Sequence, residues 1–285
     1  MLSEAGQKLM SAHKDLDIRL EPSADLVTAR KLTELNGRAD LIVTADAWTI
    51  ESMLMPQHAA FSLLFATQEI VLAYKDHSRY TEEVSADNWS NVLLRPEVIL
   101  GRADPDLDPI GKQTLWVWKL ADQPSSVKPQ TALSQSLTQK VRREHVARDG
   151  EELLSLLETR AVDYVFVPRN LAEDHNLKLI QLPPAINLSD PVFARRYAEV
   201  SIPVRAKGQA VAQSRFGAPA YVALTIPKSA PHPRDAALLV AYLTSREGRK
   251  LLLRHGLRPL SPPHCQGCES LPDEIKSLET VPENP

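Results

Sequence analysis

Three aspartates stand close together in the stretch GRADPDLDPIGKQTLWVWKLAD, which covers residues 101–122. Asp104, Asp106 and Asp108 share a loop with two prolines, and Gly111 follows at the start of an apolar stretch typical of a helix. Aspartate before proline forms tight turns, and aspartate at a helix start caps the first free N–H groups. Turns and a cap would therefore account for these carboxylates without any ligand.

A second group of reactive side chains lies near the end of the chain, in HCQGC, which contains His264, Cys265 and Cys268. Two cysteines at this spacing suit half of a zinc site, a redox pair or a tight local disulfide. A four-ligand zinc site needs a second pair, and the sequence has only two cysteines. Haem attachment would require histidine where Glu269 follows. In an exported protein we expect the pair to oxidise to a local disulfide.

The composition excludes several classes of function. With 285 residues the chain is long enough for about two domains. Its formal charge of -3 gives no support for nucleic-acid binding, which requires a clustered basic face. No apolar run reaches the roughly 18 residues of a membrane span. Neither a phosphate-binding loop nor a serine- or zinc-hydrolase motif occurs, so an enzyme has no support in the sequence.

Short apolar runs alternate with helical patterns, which predicts α/β layers with mainly parallel sheets. Leu41, Ile42 and Val43 follow one another without alternation, as in a strand that is covered on both faces. The tail after Pro262 is polar and proline-rich, and we expect it to be loosely held. The predicted strands cover 16–21, 38–46, 68–75, 98–104 and 164–167, and 220–230 is predicted as a strand followed by a turn. The predicted helices cover 24–35 and about 111–120, a further helix fills the part of 149–168 before the strand at 164–167, and 233–256 is predicted as a helix pair.

Six stretches occur in an order typical of one family. They are FATQEIVLAYKDHSRY, NWSNVLLRPEV, DPDLDPIG, DYVFVPRNLAEDHNL, INLSDPVFARRYAEVSI and AYVALTIPKSAPHPRDAALLVAYLTSREGRKLLLRHGLRP. Together they resemble the extracellular molybdate/tungstate-binding proteins of ABC importers, especially the archaeal-type tungstate-binding branch. The resemblance runs from about Leu16 to Leu260, which is nearly the whole chain.

The resemblance implies a type II periplasmic-binding-protein fold, with two α/β lobes, mainly parallel sheets and a central ligand cleft. By analogy, lobe one comprises residues 1–72 and 203–285, and lobe two comprises residues 73–202. The implied ligand is molybdate or tungstate, and no cofactor is implied. The implied partner is an ABC permease in the membrane, with no nucleic acid, and the protein is expected to be a monomer.

The resemblance also gives Asp108 a role. A tetrahedral oxyanion is held by N–H groups at helix N-termini, and the junctions at 22–25 and 107–111 suit this chemistry. A carboxylate beside an anion is repulsive. In the tungstate-binding branch, however, carboxylate oxygens approach the metal centre itself and expand it from four toward six oxygen neighbours. Asp108 matches one such carboxylate and would be a ligand of molybdenum or tungsten, whereas Asp104 and Asp106 keep their turn roles.

Two further family positions carry different residues here. The second carboxylate of the family aligns with Val167 in DYVFVP, and valine can neither coordinate nor donate a hydrogen bond. The cleft serine of a Gly-Ser pair aligns with Asp25, and Ala24 replaces the glycine. Ser23 lies close enough in sequence to supply a hydroxyl group, and either Ser23 or Asp25 is placed to cap the helix that follows.

Tyr197, in FARRYAEV, matches a family tyrosine near the oxyanion. Its alternative role is that of a half-buried aromatic residue at the end of a strand. The neighbouring Arg195 and Arg196 are expected to lie at a solvated helix end rather than to bind an anion.

The family begins with a strand and an Ala-Gly-Ser-Leu-like loop that supplies another serine, whereas this sequence starts within the following helix. We expect either a gene start further upstream, together with a signal peptide, or a decayed copy. The resemblance implies a periplasmic or extracellular location, with a cytoplasmic location as the alternative because the given chain shows no signal peptide. Two functions follow: capture of a tetrahedral oxyanion for an ABC transporter, or a non-transport derivative (a sensor or effector domain, or a degenerate paralogue) that has lost oxyanion binding.

Overall fold

The computed structural model describes residues 1–123, 132–205, 211–276 and 281–282. The chain divides into two compact units, a first unit of residues 1–67 and 221–285 and a second unit of residues 68–220. The chain therefore leaves the first unit after Thr67 and returns to it at Tyr221. Among the described residues, no helix combines the length and the apolar character that crossing a bilayer requires.

The helices and strands follow one another along the whole chain. The described α-helices are α1 (Leu2–Ala12), α2 (Asp25–Thr33), α3 (Ala47–Thr49), α4 (Trp89–Leu93), α5 (Pro109–Asp122), α6 (Leu133–Lys140), α7 (Gly150–Glu158), α8 (Arg169–Asp174), α9 (Ala194–Tyr197), α10 (Pro233–Thr244) and α11 (Arg246–Arg254). The described strands are β1 (Ile42–Thr44), β2 (Ser62–Gln68), β3 (Ile70–Tyr74), β4 (Arg102–Ala103), β5 (Val146–Ala147), β6 (Tyr164–Pro168), β7 (Lys178–Gln181), β8 (Ser201–Val204), β9 (Gln213–Phe216), β10 (Tyr221–Thr225), β11 (Leu257–Gln266) and β12 (Val281–Pro282).

The first unit is built on a sheet with the strand order β1-β10-β2-β11-β12. Every residue of β2 is buried, because apolar clusters cover both faces of the sheet. Leu63 and Phe65 pack into one cluster with α10 and α11, whereas Leu64 packs into a second cluster on the other side. Successive side chains of a strand point to opposite faces, so a continuous apolar run is what a doubly covered strand requires.

The second unit follows the same rule around β3, which lies between β6 and β7. Ile70 and Leu72 contribute to one buried cluster, and Val71 and Ala73 contribute to another. Two short pairs complete the unit, with β4 parallel to β5 and β8 antiparallel to β9. The parallel pair places the loops after β4 and β5 side by side, since the carboxyl ends of parallel strands share one edge.

The α/β class that the sequence predicts is confirmed, but the pairing differs from the mainly parallel sheets of the prediction. β10 is antiparallel to both of its neighbours, β1 and β2, and β3 is antiparallel to β6 and β7. The sequence signal was the unbroken apolar run. That signal reports burial on both faces and carries no information about strand direction.

Two local predictions differ from the structure. Residues 16–21 form no strand, because no strand of the described chain pairs with them, although Leu16 and Ile18 still pack on the core. The tail is held rather than loose as far as residue 276: β11 runs on to Gln266, and Leu271 and Ile275 are buried against α10 and α11. Apolar residues spaced along a polar tail were enough to anchor it.

The predicted lobe boundaries, after residue 72 and before residue 203, fall inside β3 and β8. Contacts place both strands wholly within the second unit. This assignment follows from strand pairing, because β3 bonds to β6 and β7 and β8 bonds to β9.

Candidate functional site

The aspartate loop is a closed turn that is anchored to β5. The N–H of Asp104 donates to the carbonyl oxygen of Ala147 at 2.8 Å. The Asp104 carboxylate accepts from the N–H of Asp106 at 2.9 Å, and the Asp104 carbonyl accepts from the N–H of Asp108 at 2.9 Å. Asp104 therefore holds the loop together. Asp106 accepts a bond of 2.7 Å from the N–H of Arg205, which ties the loop to the end of β8.

Asp108 is the N-cap of α5, and the residue is only 8% exposed. Its Oδ1 accepts a hydrogen bond of 2.7 Å from the N–H of Ile110, and Pro109, which has no N–H, occupies the first helical position. The backbone N–H of Gly150, at the start of α7, also hydrogen-bonds to this carboxyl group. One buried carboxyl group thus receives N–H groups from the N-termini of two helices.

A second carboxylate caps the neighbouring helix. Asp149 is the N-cap of α7, and its Oδ1 accepts from the N–H of Glu152 at 2.9 Å. The parallel pairing of Ala103 with Ala147 brings the loops that follow β4 and β5 together. The negative charges of Asp108 and Asp149 therefore interact, and both lie where helix dipoles favour negative charge.

Glycines allow this close approach. A Cβ atom at Gly150 would lie 2.8 Å from Cδ1 of Ile110, so the first turns of α5 and α7 are in direct contact. A Cβ atom at Gly111 would lie 2.5 Å from the carbonyl carbon of Asp104 and 2.6 Å from the oxygen of Ala103. The aspartate loop packs on the first turn of α5 only because residue 111 has no side chain.

Burial raises the pKa of the Asp108 carboxyl group from 3.8 to about 6, since desolvation disfavours the charged form. The like charge of Asp149 raises this pKa further, whereas the N–H groups of Ile110 and Gly150 and the ammonium group of Lys112 lower it. The carboxyl group is therefore about half protonated near pH 6. It can accept hydrogen bonds or coordinate a metal centre when ionised, and it can donate to an oxyanion when protonated.

The other predicted site residues of the second unit lie in its core. Val167 is fully buried on β6, in the cluster that also contains Val71 and Val165. Tyr197 is also fully buried, at the end of the short helix α9 rather than at a strand end, and its hydroxyl donates to the carbonyl of Pro184. Buried side chains with these contacts support the fold.

The two arginines beside Tyr197 lie on α9. Arg195 is exposed, and Arg196 donates through Nε to the carbonyl oxygen of Ala185 at 2.9 Å. This agrees with the solvated helix end that the sequence predicts for Arg195, whereas Arg196 fastens α9 to the loop before it.

Ser23 and Asp25 belong to the first unit. Ala24, not either of these residues, is the N-cap of α2, and no side chain caps the helix. The exposed Ser23 hydroxyl lies 2.7 Å from the hydroxyl of Thr28, and Asp25 is the first helical residue. The predicted capping role of Ser23 or Asp25 is therefore corrected: Asp25 lies one position too late to cap, and Ser23 bonds to a side chain instead of to backbone N–H groups.

Sequence reasoning missed Asp149 and Gly150. The local signal was present, since Asp149 precedes a helix of leucines and Glu152 follows at the spacing of a capping box. Nothing local indicated that this helix start meets α5. Within the described ranges, no group of three or more histidine, cysteine, aspartate or glutamate side chains is arranged to hold a metal ion.

Comparison with known proteins decides the family. The profile of the family described as bacterial extracellular solute-binding protein matches residues 1–258. The chain belongs to this family. Its members are solute-binding proteins, so the protein is a binding protein rather than an enzyme.

Two relatives of this solute-binding protein resemble it over most of their length. A solute-binding protein of Petrotoga mobilis is 32% identical over 268 residues, which cover 94% of this chain and 83% of the relative. The molybdate/tungstate-binding protein WtpA of Thermococcus kodakarensis is 32% identical over 295 residues, which cover 95% of this chain and 81% of the relative.

Among solved structures, the periplasmic molybdate-binding protein of Azotobacter vinelandii matches with a TM-score of 0.62. The match covers 90% of this chain and 93% of that protein, at 14% sequence identity. The solute-binding protein therefore has the periplasmic-binding-protein fold that the sequence predicts. Identity this low shows the fold alone.

Proposed function

We propose that the protein captures molybdate or tungstate and delivers it to an ABC permease in the membrane. The single observation that carries the proposal is the buried carboxyl group of Asp108 at the joined N-termini of α5 and α7. A carboxyl group held there at the cost of desolvation is a candidate functional group. The similarity to WtpA of T. kodakarensis, a molybdate/tungstate-binding protein, supports this choice of solute.

The chemistry has to overcome repulsion between a carboxylate and a dianion. Helix N-termini favour anions, but the N–H of Ile110 is already bonded to Asp108. The resolution we propose is that an Asp108 oxygen approaches the metal centre of the bound oxide, whose hexavalent charge attracts the carboxylate. The N–H groups of Ile110 and Gly150 would keep the carboxylate oriented while it does so.

The first test is ligand-dependent stabilisation, since a ligand that binds only the native state raises the melting temperature. We expect tungstate and molybdate to raise Tm at micromolar concentration, with sulfate giving a smaller rise or none. Asp108→Asn should abolish the rise. Asp106→Asn is the matched control, because it removes the same charge from the same loop while leaving the cap of α5 in place. An unchanged rise in the Asp108 variant would refute its role as a ligand.

Calorimetric titration across about pH 5.5 to 8 separates the two ways in which Asp108 could act. If the ionised carboxylate ligates the metal centre, the affinity for tungstate falls as the pH drops through about 6. If the protonated group donates a hydrogen bond to an oxide oxygen, the affinity rises over the same range. Our proposal requires the first result.

One observation favours the alternative function, a derivative that has lost oxyanion binding. Val167 occupies the position of the second family carboxylate, and its side chain is buried in the core of the second unit. On this alternative, tungstate, molybdate and sulfate would all leave Tm unchanged, in the wild type and in both variants.

The partner and the place of action form part of the proposal. Capture for import places the protein outside the cytoplasmic membrane, as a monomer that docks on its permease after loading. Light scattering on the purified chain, with and without tungstate, tests the monomer. A stable dimer in both states would contradict it.

A further inference from the structure

Cys265 and Cys268 lie together at the end of β11 in the first unit, whereas Asp108 belongs to the second unit. Cys265 is in the strand, and Cys268 opens a single 3-10 turn over residues 268–270. Both cysteines are in the thiol form, with no disulfide between them. The thiol of Cys268 donates to the carbonyl oxygen of Cys265, with a sulfur–oxygen distance of 3.0 Å. Only two bonds separate that oxygen from the Cα atom of Cys265, so the sulfur lies within about 6 Å of this Cα atom.

The backbone between the two cysteines is fixed by its surroundings. Gly267 has a φ of 72°, in the left-handed region that glycine adopts without strain. A Cβ atom at Gly267 would lie 2.3 Å from the carbonyl oxygen of Ala60. The chain therefore turns at Gly267 directly against the segment that leads into β2, and the cysteine spacing is set by the fold.

Both cysteines belong to the core of the first unit. Cys265 is 2% exposed, in the cluster that also contains Leu271 and Ile275, and Cys268 packs against this cluster while remaining partly accessible. The segment 268–276 is thus anchored by the buried side chains of Leu271 and Ile275 after the turn and by β11 before it.

We propose that Cys265 and Cys268 form an intramolecular disulfide in the exported protein, a covalent clasp that holds the segment 268–276 on β11. Disulfides persist in extracellular proteins, and the chain belongs to an extracellular family. A metal-binding role lacks partners, because the described part of the chain places no third histidine, cysteine, aspartate or glutamate ligand with the two thiols.

The chemistry is thiol–disulfide exchange with a small-molecule disulfide such as oxidised glutathione. The more accessible thiolate of Cys268 attacks one sulfur of the reagent, a mixed disulfide forms, and one glutathione thiolate leaves. The thiolate of Cys265 then attacks the Cys268 sulfur of the mixed disulfide and releases the second glutathione. In total the protein loses two hydrogen atoms as two electrons and two protons, and the reagent gains them.

The experiment uses the full chain, first reduced and then equilibrated with oxidised glutathione. We expect thiol titration of the unfolded product to fall from two thiols to none, and its mass to fall by two hydrogen atoms. The closed loop is very short, so its effect on the unfolded chain is small, and Tm should rise by about 2 to 4 °C. Hydrogen exchange should slow at residues 268–276.

Cys268→Ser is the control, because this side chain is partly exposed and its loss leaves Cys265 in the core. It should keep one titratable thiol and lose the rise in Tm on oxidation. Two titratable thiols after oxidation would overturn the proposal. So would glutathione adducts without the internal bond, or dimers that reducing agent dissolves.

Discussion

At the scale of single residues, Asp108 combines two demands that conflict. As an N-cap it stabilises α5 through its bond to the N–H of Ile110. Its carboxyl group is nevertheless buried beside the charge of Asp149, and this raises its pKa to about 6. A neutral cap would hold the helix without that conflict. The ligand role proposed for Asp108 rests on this conflict.

The first prediction concerns the stability of Asp108→Asn. A carboxyl group whose pKa is raised in the folded state binds its proton more tightly there than in the unfolded chain. The stability linked to this group is therefore full below its ordinary pKa of 3.8 and is lost as the pH rises through about 6. The loss amounts to about 3 kcal/mol above pH 7.

Asparagine caps helices as well as aspartate does but does not titrate. Relative to wild type, Asp108→Asn should therefore gain up to about 3 kcal/mol of unfolding free energy between about pH 4 and 7.5. Urea unfolding at several pH values measures this difference. A difference between variant and wild type that is independent of pH would contradict the assigned pKa.

The second prediction concerns Asp149→Asn. Removing the like charge should lower the pKa of Asp108, because the Asp149 charge raises it. Titration of the side-chain carboxyl carbons by NMR measures the shift directly. Asp190→Asn is the control, since Asp190 is also an N-cap of the second unit, with a bond of 3.1 Å from the N–H of Val192, and is not among the groups that shift Asp108. If Asp149→Asn and Asp190→Asn changed the pKa of Asp108 equally, the charge of Asp149 would have no specific effect on that pKa.

At the scale of elements, the candidate site depends on how two helix starts meet. The parallel pair of β4 and β5 brings the loops that follow these strands together, and two glycines allow the first turns of α5 and α7 to touch. The two glycines differ in what a side chain would meet. At Gly111 the obstacle is the backbone of Ala103 and Asp104, whereas at Gly150 it is the terminal methyl group of Ile110.

The third prediction compares Gly111→Ala with Gly150→Ala. Backbone cannot rotate away, so Gly111→Ala should cost about 3 kcal/mol of unfolding free energy. The Ile110 side chain can change rotamer, and alanine is the better helix former, so Gly150→Ala should cost about 1 kcal/mol or less. Urea unfolding with both variants measures the two values. Equal costs would mean that the aspartate loop moves away from α5 more easily than the contacts indicate.

At the scale of the whole molecule, the first unit is assembled from two distant stretches of chain. The helix α1, near the start of the sequence, packs against α10 and α11, which lie near the end of the sequence. Glu4 accepts hydrogen bonds from Arg254 at 2.8 Å and from His255 at 3.1 Å. This ion pair joins residues that only the tertiary fold brings together.

The fourth prediction concerns Glu4→Gln. The hydrogen bonds from His255 and Arg254 lower the pKa of Glu4 to about 2. The contribution of a carboxylate with a lowered pKa is present above its ordinary value of 4.5 and is lost as the pH falls toward 2. Glu4→Gln should therefore lower Tm by a small amount at neutral pH.

The difference from wild type should shrink steadily as the pH falls from 4.5 toward 2. Calorimetric scans at a series of pH values measure it. Glu34→Gln is the control, because Glu34 forms an ion pair with Arg30, one turn earlier in the same stretch of chain. If Glu34→Gln lowered Tm as much as Glu4→Gln does, the contact of Glu4 with Arg254 and His255 would contribute no more to stability than the Arg30–Glu34 pair.

Much of the local structure follows from the sequence. The helices α5 and α7 were predicted within a few residues of where they start, because capping and apolar periodicity act over a single turn. The alternation of strand and helix patterns predicted the α/β class, and the order of the six family-like stretches predicted the periplasmic-binding-protein fold. By contrast, residues 16–21 alternate like a strand but find no partner strand in the described chain, since pairing is not a local property.

The sequence by itself determined that one helix starts within a few residues of Asp108 and another close to Asp149, because a helix start depends on residues within one turn of it. Only the tertiary structure decided that these two starts meet, that Asp108 is buried there and that Val167 lies in the core. The physical reason is that burial and charge–charge interaction depend on distances in space between segments far apart in the chain. No local pattern of residues encodes those distances.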